Sequence, residues 1–271
     1  MKRYATIGLL YLSSMAWSQS VSTLMGARAA GMGFASATLR DESALFNNVG
    51  AMAEIKTLSS FFAYEVRPSL EGSNRMAFSI SIPTKFGVAG AGIFRFGDYL
   101  YSEQIISTGF SNRFGIASLG AKLNYIQYRT SGFGIQNAVS INFGGLAQIT
   151  PQISVGAYIT NINQARISEQ EQLPTKLTAG LGFKPDDDFI ITTEIEKDIN
   201  YNATWRLGAE YTIHKKVFAR TGFNLNPSSS FFGVGTRRAK LQMDYAICFN
   251  RILGQLHQVS VIYKLKNDIK K

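Results

Sequence analysis

The chain has 271 residues, a formal charge of +10, 45% hydrophobic and 12% aromatic residues, 25 glycines and one cysteine. That hydrophobic content excludes a disordered chain, and the aromatic and glycine content favours twisted strands and tight turns over a helical bundle. A lone Cys248 excludes an internal disulfide and points to no redox or metal chemistry.

Lys2 and Arg3 precede an apolar stretch from Ile7 to Ala16 and the pattern Ala16-Trp17-Ser18. A positive start, a short apolar run and small residues at −3 and −1 predict a secretory signal over 1–18, cleaved near Ser18. The run is shorter than the roughly 20 apolar residues of a membrane helix, and no later segment reaches that length. An exported chain has little access to nucleic acid, so the positive charge is expected to meet anionic lipid headgroups or acidic partners. The basic tail at 266–271 reads as a solvated end.

Residues 19–54 are rich in Ala, Gly, Met and Ser and lack two-residue alternation, which predicts a plug or hatch segment with short helical pieces. From 55 to 265 the chain reads as consecutive strands. Fourteen are expected, at 56–65, 74–83, 85–96, 99–111, 113–128, 134–147, 152–162, 175–184, 188–197, 204–213, 216–224, 230–238, 240–248 and 256–265. Their lengths suit tilted bilayer crossings of roughly 9–11 residues.

Alternation is plainest late in the chain. Trp205, Leu207, Ala209, Tyr211 and Ile213 share one face, and Arg206, Gly208, Glu210 and Thr212 the other. Leu241, Met243, Tyr245 and Ile247 repeat it against Gln242, Asp244 and Ala246, as do Val259, Val261, Tyr263 and Leu265. A soluble sheet hides such an apolar face in a core; a membrane barrel turns it to lipid. The connections decide between the two. Those after odd-numbered strands read as long and those after even-numbered strands as short, with Gly97-Asp98 the exception. Outer-membrane barrels have this asymmetry and sandwiches have no reason for it. The expected fold is therefore all-β: a transmembrane up-and-down antiparallel barrel of about 14 strands, with a short N-terminal helical plug.

On this parity Glu194, Glu196, Arg206, Glu210, Arg220 and Asp244 face the lumen, either as structural ion pairs or in contact with a solute. An Arg or Lys facing lipid near the midplane costs about 2–4 kcal/mol. Tyr99, Tyr101, Tyr125, Tyr128, Trp205, Tyr211, Tyr245 and Tyr263 recur near strand ends and fit interfacial girdles. His214 falls in a short turn beside lysines, and His257 lies beside Gln258 and Ser260 without a hydrolase motif. Gly31-Met32-Gly33 lacks the strand and helix of a dinucleotide loop, and Asp186-Asp187-Asp188 lacks the spread ligands of a calcium loop. No catalytic, cofactor-binding or metal site is expected, and no enzyme activity.

Gly26-Ala-Arg-Ala-Ala-Gly-Met-Gly33, followed by Asp41-Glu-Ser-Ala-Leu-Phe-Asn-Asn48, resembles the opening of the FadL-like superfamily, particularly the PorV/PorQ-like outer-membrane proteins of Bacteroidetes. Leu207-Gly-Ala-Glu-Tyr211, Ala219-Arg-Thr-Gly-Phe223, Phe232-Gly-Val-Gly235, Asp244-Tyr-Ala246 and Leu253-Gly-Gln-Leu-His257 are similar in order and spacing. The chain departs from the family at Asn48-Val-Gly-Ala51, where Asn-Pro-Ala-Gly is common. The resemblance implies a fourteen-stranded barrel in the bacterial outer membrane with an inward-folded plug carrying Gly26, Arg28, Gly31, Gly33, Asp41 and Asn48. It also implies an accessory or cargo-carrier part in type IX secretion, with secretion-machinery proteins or exported cargo as partners beside outer-membrane lipid. The alternative is a FadL-like passive transporter whose partner is a hydrophobic or small solute. An apolar pocket against the plug with a lateral opening would mark the transporter; a filled lumen and a partner-binding rim would mark the accessory barrel.

Overall fold

The computed structural model describes residues 22–168 and 171–265, so the expected signal and the basic tail lie outside the described residues. A short helix α1 (Ala27–Gly31) and a 3₁₀ turn (Val49–Glu54) open the described chain. Fourteen strands follow: β1 (Ser59–Val66), β2 (Arg75–Thr84), β3 (Gly87–Gly97), β4 (Tyr101–Phe114), β5 (Ala117–Thr130), β6 (Gly134–Gln148) and β7 (Ile153–Thr160) make the first half. The second half is β8 (Lys176–Phe183), β9 (Phe189–Asp198), β10 (Thr204–Ile213), β11 (Val217–Leu225), β12 (Ser229–Arg238), β13 (Leu241–Asn250) and β14 (Gly254–Lys264). Each strand pairs antiparallel with its sequence neighbours, and β1 pairs with β14, Phe61 opposite Ile262, to close the barrel.

The two-residue period sorts the side chains. Along β10, Arg206, Gly208 and Glu210 are buried while Trp205, Leu207 and Tyr211 are exposed; β13 repeats this with Gln242, Asp244 and Ala246 inside. The outer face is an apolar belt in which Ile93, Leu181, Phe232 and Val234 are each more than half exposed. Contiguous apolar surface of this extent is foreign to a soluble monomer, whose largest patch is of the order of 300–600 Å². No helix among the described residues is long and apolar enough to cross a membrane. The strands are the elements that match a bilayer.

Two expectations need correction. Several strands run further than their sequence boundaries, so 131–133, 226–228 and 251–253 are short connections after odd strands, as 98–100 was expected to be. Only 67–74 and 161–175 are long there, and the loop asymmetry is carried by those two. Tyr101 and Tyr128 also leave the expected girdle. Tyr128 is buried on the inner face of β5, and Tyr101 stacks edge-on against Phe96 at 6.2 Å beside the lumen core. Tyr125, Trp205, Tyr211, Tyr245 and Tyr263 point outward.

Candidate solute cavity and its plug

Residues 24–54 thread the lumen, and most of their side chains are buried. Small residues on both partners let backbone lie on backbone. A Cβ on Gly156 of β7 would sit 2.0 Å from the Ala37 carbonyl oxygen, and one on Gly222 of β11 would sit 2.2 Å from the Gly33 nitrogen. Gly33 also takes φ +66°, which only glycine adopts without strain. Gly26 begins α1, and Gly31 lies against Gly233 of β12. Asn48 caps the 3₁₀ turn by accepting from Gly50 N at 3.0 Å. Its amide donates to the carbonyls of Ala37 (2.7 Å) and Gly145 (2.9 Å), tying the plug to itself and to β6.

The remaining attachment is ionic. Arg28 donates to Glu210 at 2.9 and 2.6 Å and to Asp41 at 3.2 Å. Glu210 also accepts from Arg220 at 2.5 Å, and Arg220 reaches Asp244 at 2.7 Å. A second cluster holds the middle of the plug. Glu194 accepts from the backbone nitrogens of Ser36 (2.9 Å) and Ala37 (2.7 Å) and from Arg206 at 2.5 Å, and Arg206 bonds Glu196 at 2.9 Å. Lys176 closes that cluster on Glu196 at 3.4 Å. The six charged positions of β9–β13 therefore fall into two groups, each touching the plug. Neighbouring strands bring them together: Glu210 faces Arg220, and Arg206 faces Glu194.

On the loop side of the plug the lumen is not filled. One cavity, of about 90 Å³, lies between Leu24, Phe46 and Asn47 of the plug and the inner faces of β5 and β6. Ile105, Ile126 and Tyr158 give it an apolar wall; Asn124, Ser140 and Asn142 give it a polar one. At roughly 10–15 Å³ per water it has room for several waters or one small solute. A wider space of about 450 Å³ opens at the mouth, lined by Arg67, Phe96, Phe231, Cys248 and Leu256; both spaces border Ser22 and Leu24.

The wall beside the smaller cavity is incomplete. β6 pairs with β7 only from Phe143↔Ile159 to Gln148↔Ser154, so its loop-end half lacks a strand partner on that side. Residues 161–163 take its place. Asn163 accepts from Ile141 N and donates to Val139 O, both at 2.9 Å, and Ile162 N donates to Ile141 O at 2.9 Å. Leu173 of the 161–175 segment is buried against the cluster containing Phe46, Ile105 and Ile126, and it lines the cavity. A folded-in segment thus replaces regular wall at the point where the cavity meets it.

Lys122 also has inward parity and is buried, with no hydrogen bond or ion pair to a described residue. Asn124, Ser140, Asn142 and Lys122 were not singled out from the sequence, although inward parity on β5 and β6 marks all four. His257 lies on the outer surface, its Nδ1 2.6 Å from the Tyr245 hydroxyl, and His214 sits in the β10–β11 turn. Among the described residues no group of three His, Cys, Asp or Glu side chains is placed to hold a metal ion.

No protein-family model matches this sequence, and no curated protein does. Solved structures do. The chain is similar to the CymD monoaromatic hydrocarbon channel, with TM-score 0.75 and 13% identity over 91% of this chain and 99% of that one. It is similar to the P. putida toluene transporter TodX, with TM-score 0.67 and 11% identity over 91% and 100%. A Pseudomonas aeruginosa FadL homologue gives TM-score 0.60 and 11% identity over 92% and 99%. At such identities the likeness is one of fold: a closed fourteen-stranded antiparallel barrel matching the FadL-like barrels of outer membranes.

Proposed function

We propose that this chain is a passive, non-enzymatic channel of the bacterial outer membrane for a small, largely apolar solute. The solute enters from the loop side, rests between plug and wall, and leaves sideways past the 161–175 segment. The observation that carries this reading is the coincidence of the cavity with the stretch of β6 that β7 does not pair. The plug favours the same path, because its backbone is seated directly on Gly156 and Gly222 of the wall. Location in the outer membrane is supported by the apolar belt, the closed wall and the signal-like first 18 residues. The fold neighbours include a hydrocarbon channel and toluene transporters, which favours an apolar solute here.

Uptake tests the proposal. Cells expressing the barrel should take up labelled toluene faster than cells without it, and Ser140→Trp, which fills the cavity, should return the rate to that of cells without it. Uptake unaffected by the barrel, or by Ser140→Trp in a folded barrel, would contradict the proposal. The second reading, a PorV/PorQ-like accessory of type IX secretion, draws on the ionic and glycine-seated locking of the plug. Co-purification of secretion-machinery proteins, with no toluene uptake, would favour it.

A further inference from the structure

The positive charge has a location that the solute path does not use. At the short-turn end, Lys215 and Lys216 lie in the β10–β11 turn, Arg237 and Arg238 end β12, Lys240 lies in the β12–β13 turn and Lys264 ends β14. Backbone hydrogen bonds join them into one stretch of rim: Arg237 N donates to Lys216 O and Lys264 N to Lys240 O, both at 2.8 Å. Five of the six are exposed and Lys264 is half-buried. Among the described residues only Lys264 has a carboxylate within ion-pair distance, Glu42 of the plug at 2.9 Å. The acidic turn at 186–188 adjoins this stretch at β10, where Asp188 O accepts from Thr212 N, and Asp187 is already paired with Lys184 at 2.6 Å. Two hairpins and the end of β14 therefore present cations that the barrel itself largely leaves unpaired.

We infer that this rim binds the phosphates of anionic phospholipids in the leaflet that meets the short-turn end. The inference needs only that the barrel sits in a bilayer. The neighbouring outward residues give the reason for choosing lipid over an acidic protein. Ile213, Val217, Leu241, Tyr263 and Leu265 are all exposed at the same height and continue the apolar belt up to the cations. Acyl chains lie along that belt, which brings their headgroups level with the lysines and arginines. Long basic side chains keep their stems on apolar surface and their charges at the headgroups. Each cation near an anionic surface contributes roughly a several-fold preference, and the contributions accumulate along the rim.

Lipid retention is the test. Purified barrel in neutral detergent receives equal amounts of phosphatidylglycerol and phosphatidylethanolamine with matched acyl chains, and native mass spectrometry counts the retained lipid. Phosphatidylglycerol should be retained in excess, inorganic phosphate should not displace it, and molar salt should erase the excess. The variant carrying Lys215→Gln, Lys216→Gln, Arg238→Gln and Lys240→Gln should lose the excess by roughly tenfold or more while keeping the heat-modifiable gel mobility of a folded barrel. No excess in the unmodified barrel, an unchanged excess in the folded variant, or displacement by polyglutamate as effective as by phosphatidylglycerol would each overturn the inference. If the variant fails to fold, the salt titration of the unmodified barrel decides: an excess that survives molar salt refutes it.

Discussion

Glu210 is the residue on which two arginines converge. Arg28 of the plug and Arg220 of the wall both bond its carboxylate, and Glu210 is only 4% exposed. Removing one partner from a buried pair leaves an uncompensated charge and costs about 3–5 kcal/mol. Glu210→Leu is therefore expected to shift the heat-modifiable gel transition strongly downward, whereas Trp205→Leu, on the lipid face, should stay within about 1 kcal/mol of the unmodified barrel. Equal shifts for the two would contradict the inside–outside assignment. The charged residue types and their inward parity were legible in the sequence. Their partners were not: Arg28 and Glu210 meet only because the plug enters the lumen at a particular height, and no local pattern encodes that height.

At the scale of elements, the plug and the 161–175 segment do different work. The plug is fixed by close backbone approach, so a single methyl group is a wedge. Gly156→Ala should destabilise the plugged barrel by about 1–3 kcal/mol and expose residues 24–54 to protease, with the strand content by circular dichroism unchanged. Asn163 makes two of the hydrogen bonds that hold the 161–175 segment to β6, beside those from Ile162 N to Ile141 O and from Asn161 N to Asn142 Oδ1. Asn163→Ala should loosen the segment and raise toluene uptake; an unchanged rate with a folded barrel would remove this segment from the path. The Ala- and Gly-rich composition of 19–54, without alternation, marked it as something other than strand. The missing β6–β7 pairing left no such mark, because both strands alternate normally and the ladder ends on the registers of two distant edges. The loop lengths misled for a related reason. Polar residues at strand ends were counted as loop, yet in a barrel they still pair, since the ladder extends past the hydrocarbon.

For the whole molecule, the two-residue period sorted an apolar face from a charged one, and fourteen strands were legible in it. The choice of which face is outward rested on the connection lengths, of which only 67–74 and 161–175 are long after odd strands. Composition could not say where the cavity lies, because that depends on how much of the lumen the plug leaves empty. If the belt meets hydrocarbon, a charge on it has a depth-dependent cost. Phe232→Arg, at the middle of β12, should cost about 2–4 kcal/mol in lipid refolding titrations, and a substitution to Arg at exposed Lys240 should cost close to nothing.

The sequence carries two tryptophans, Trp17 in the expected signal and Trp205 on the outward face of β10. A chain beginning at residue 19 has Trp205 as its sole indole, and so reports on the face that defines the fold's solvent. Refolded into vesicles of phospholipid brominated near the top of the acyl chains, its fluorescence should be strongly quenched relative to unbrominated vesicles. Blue-shifted emission that bromine does not quench would mean that Trp205 is buried in protein, and the barrel would not be facing lipid.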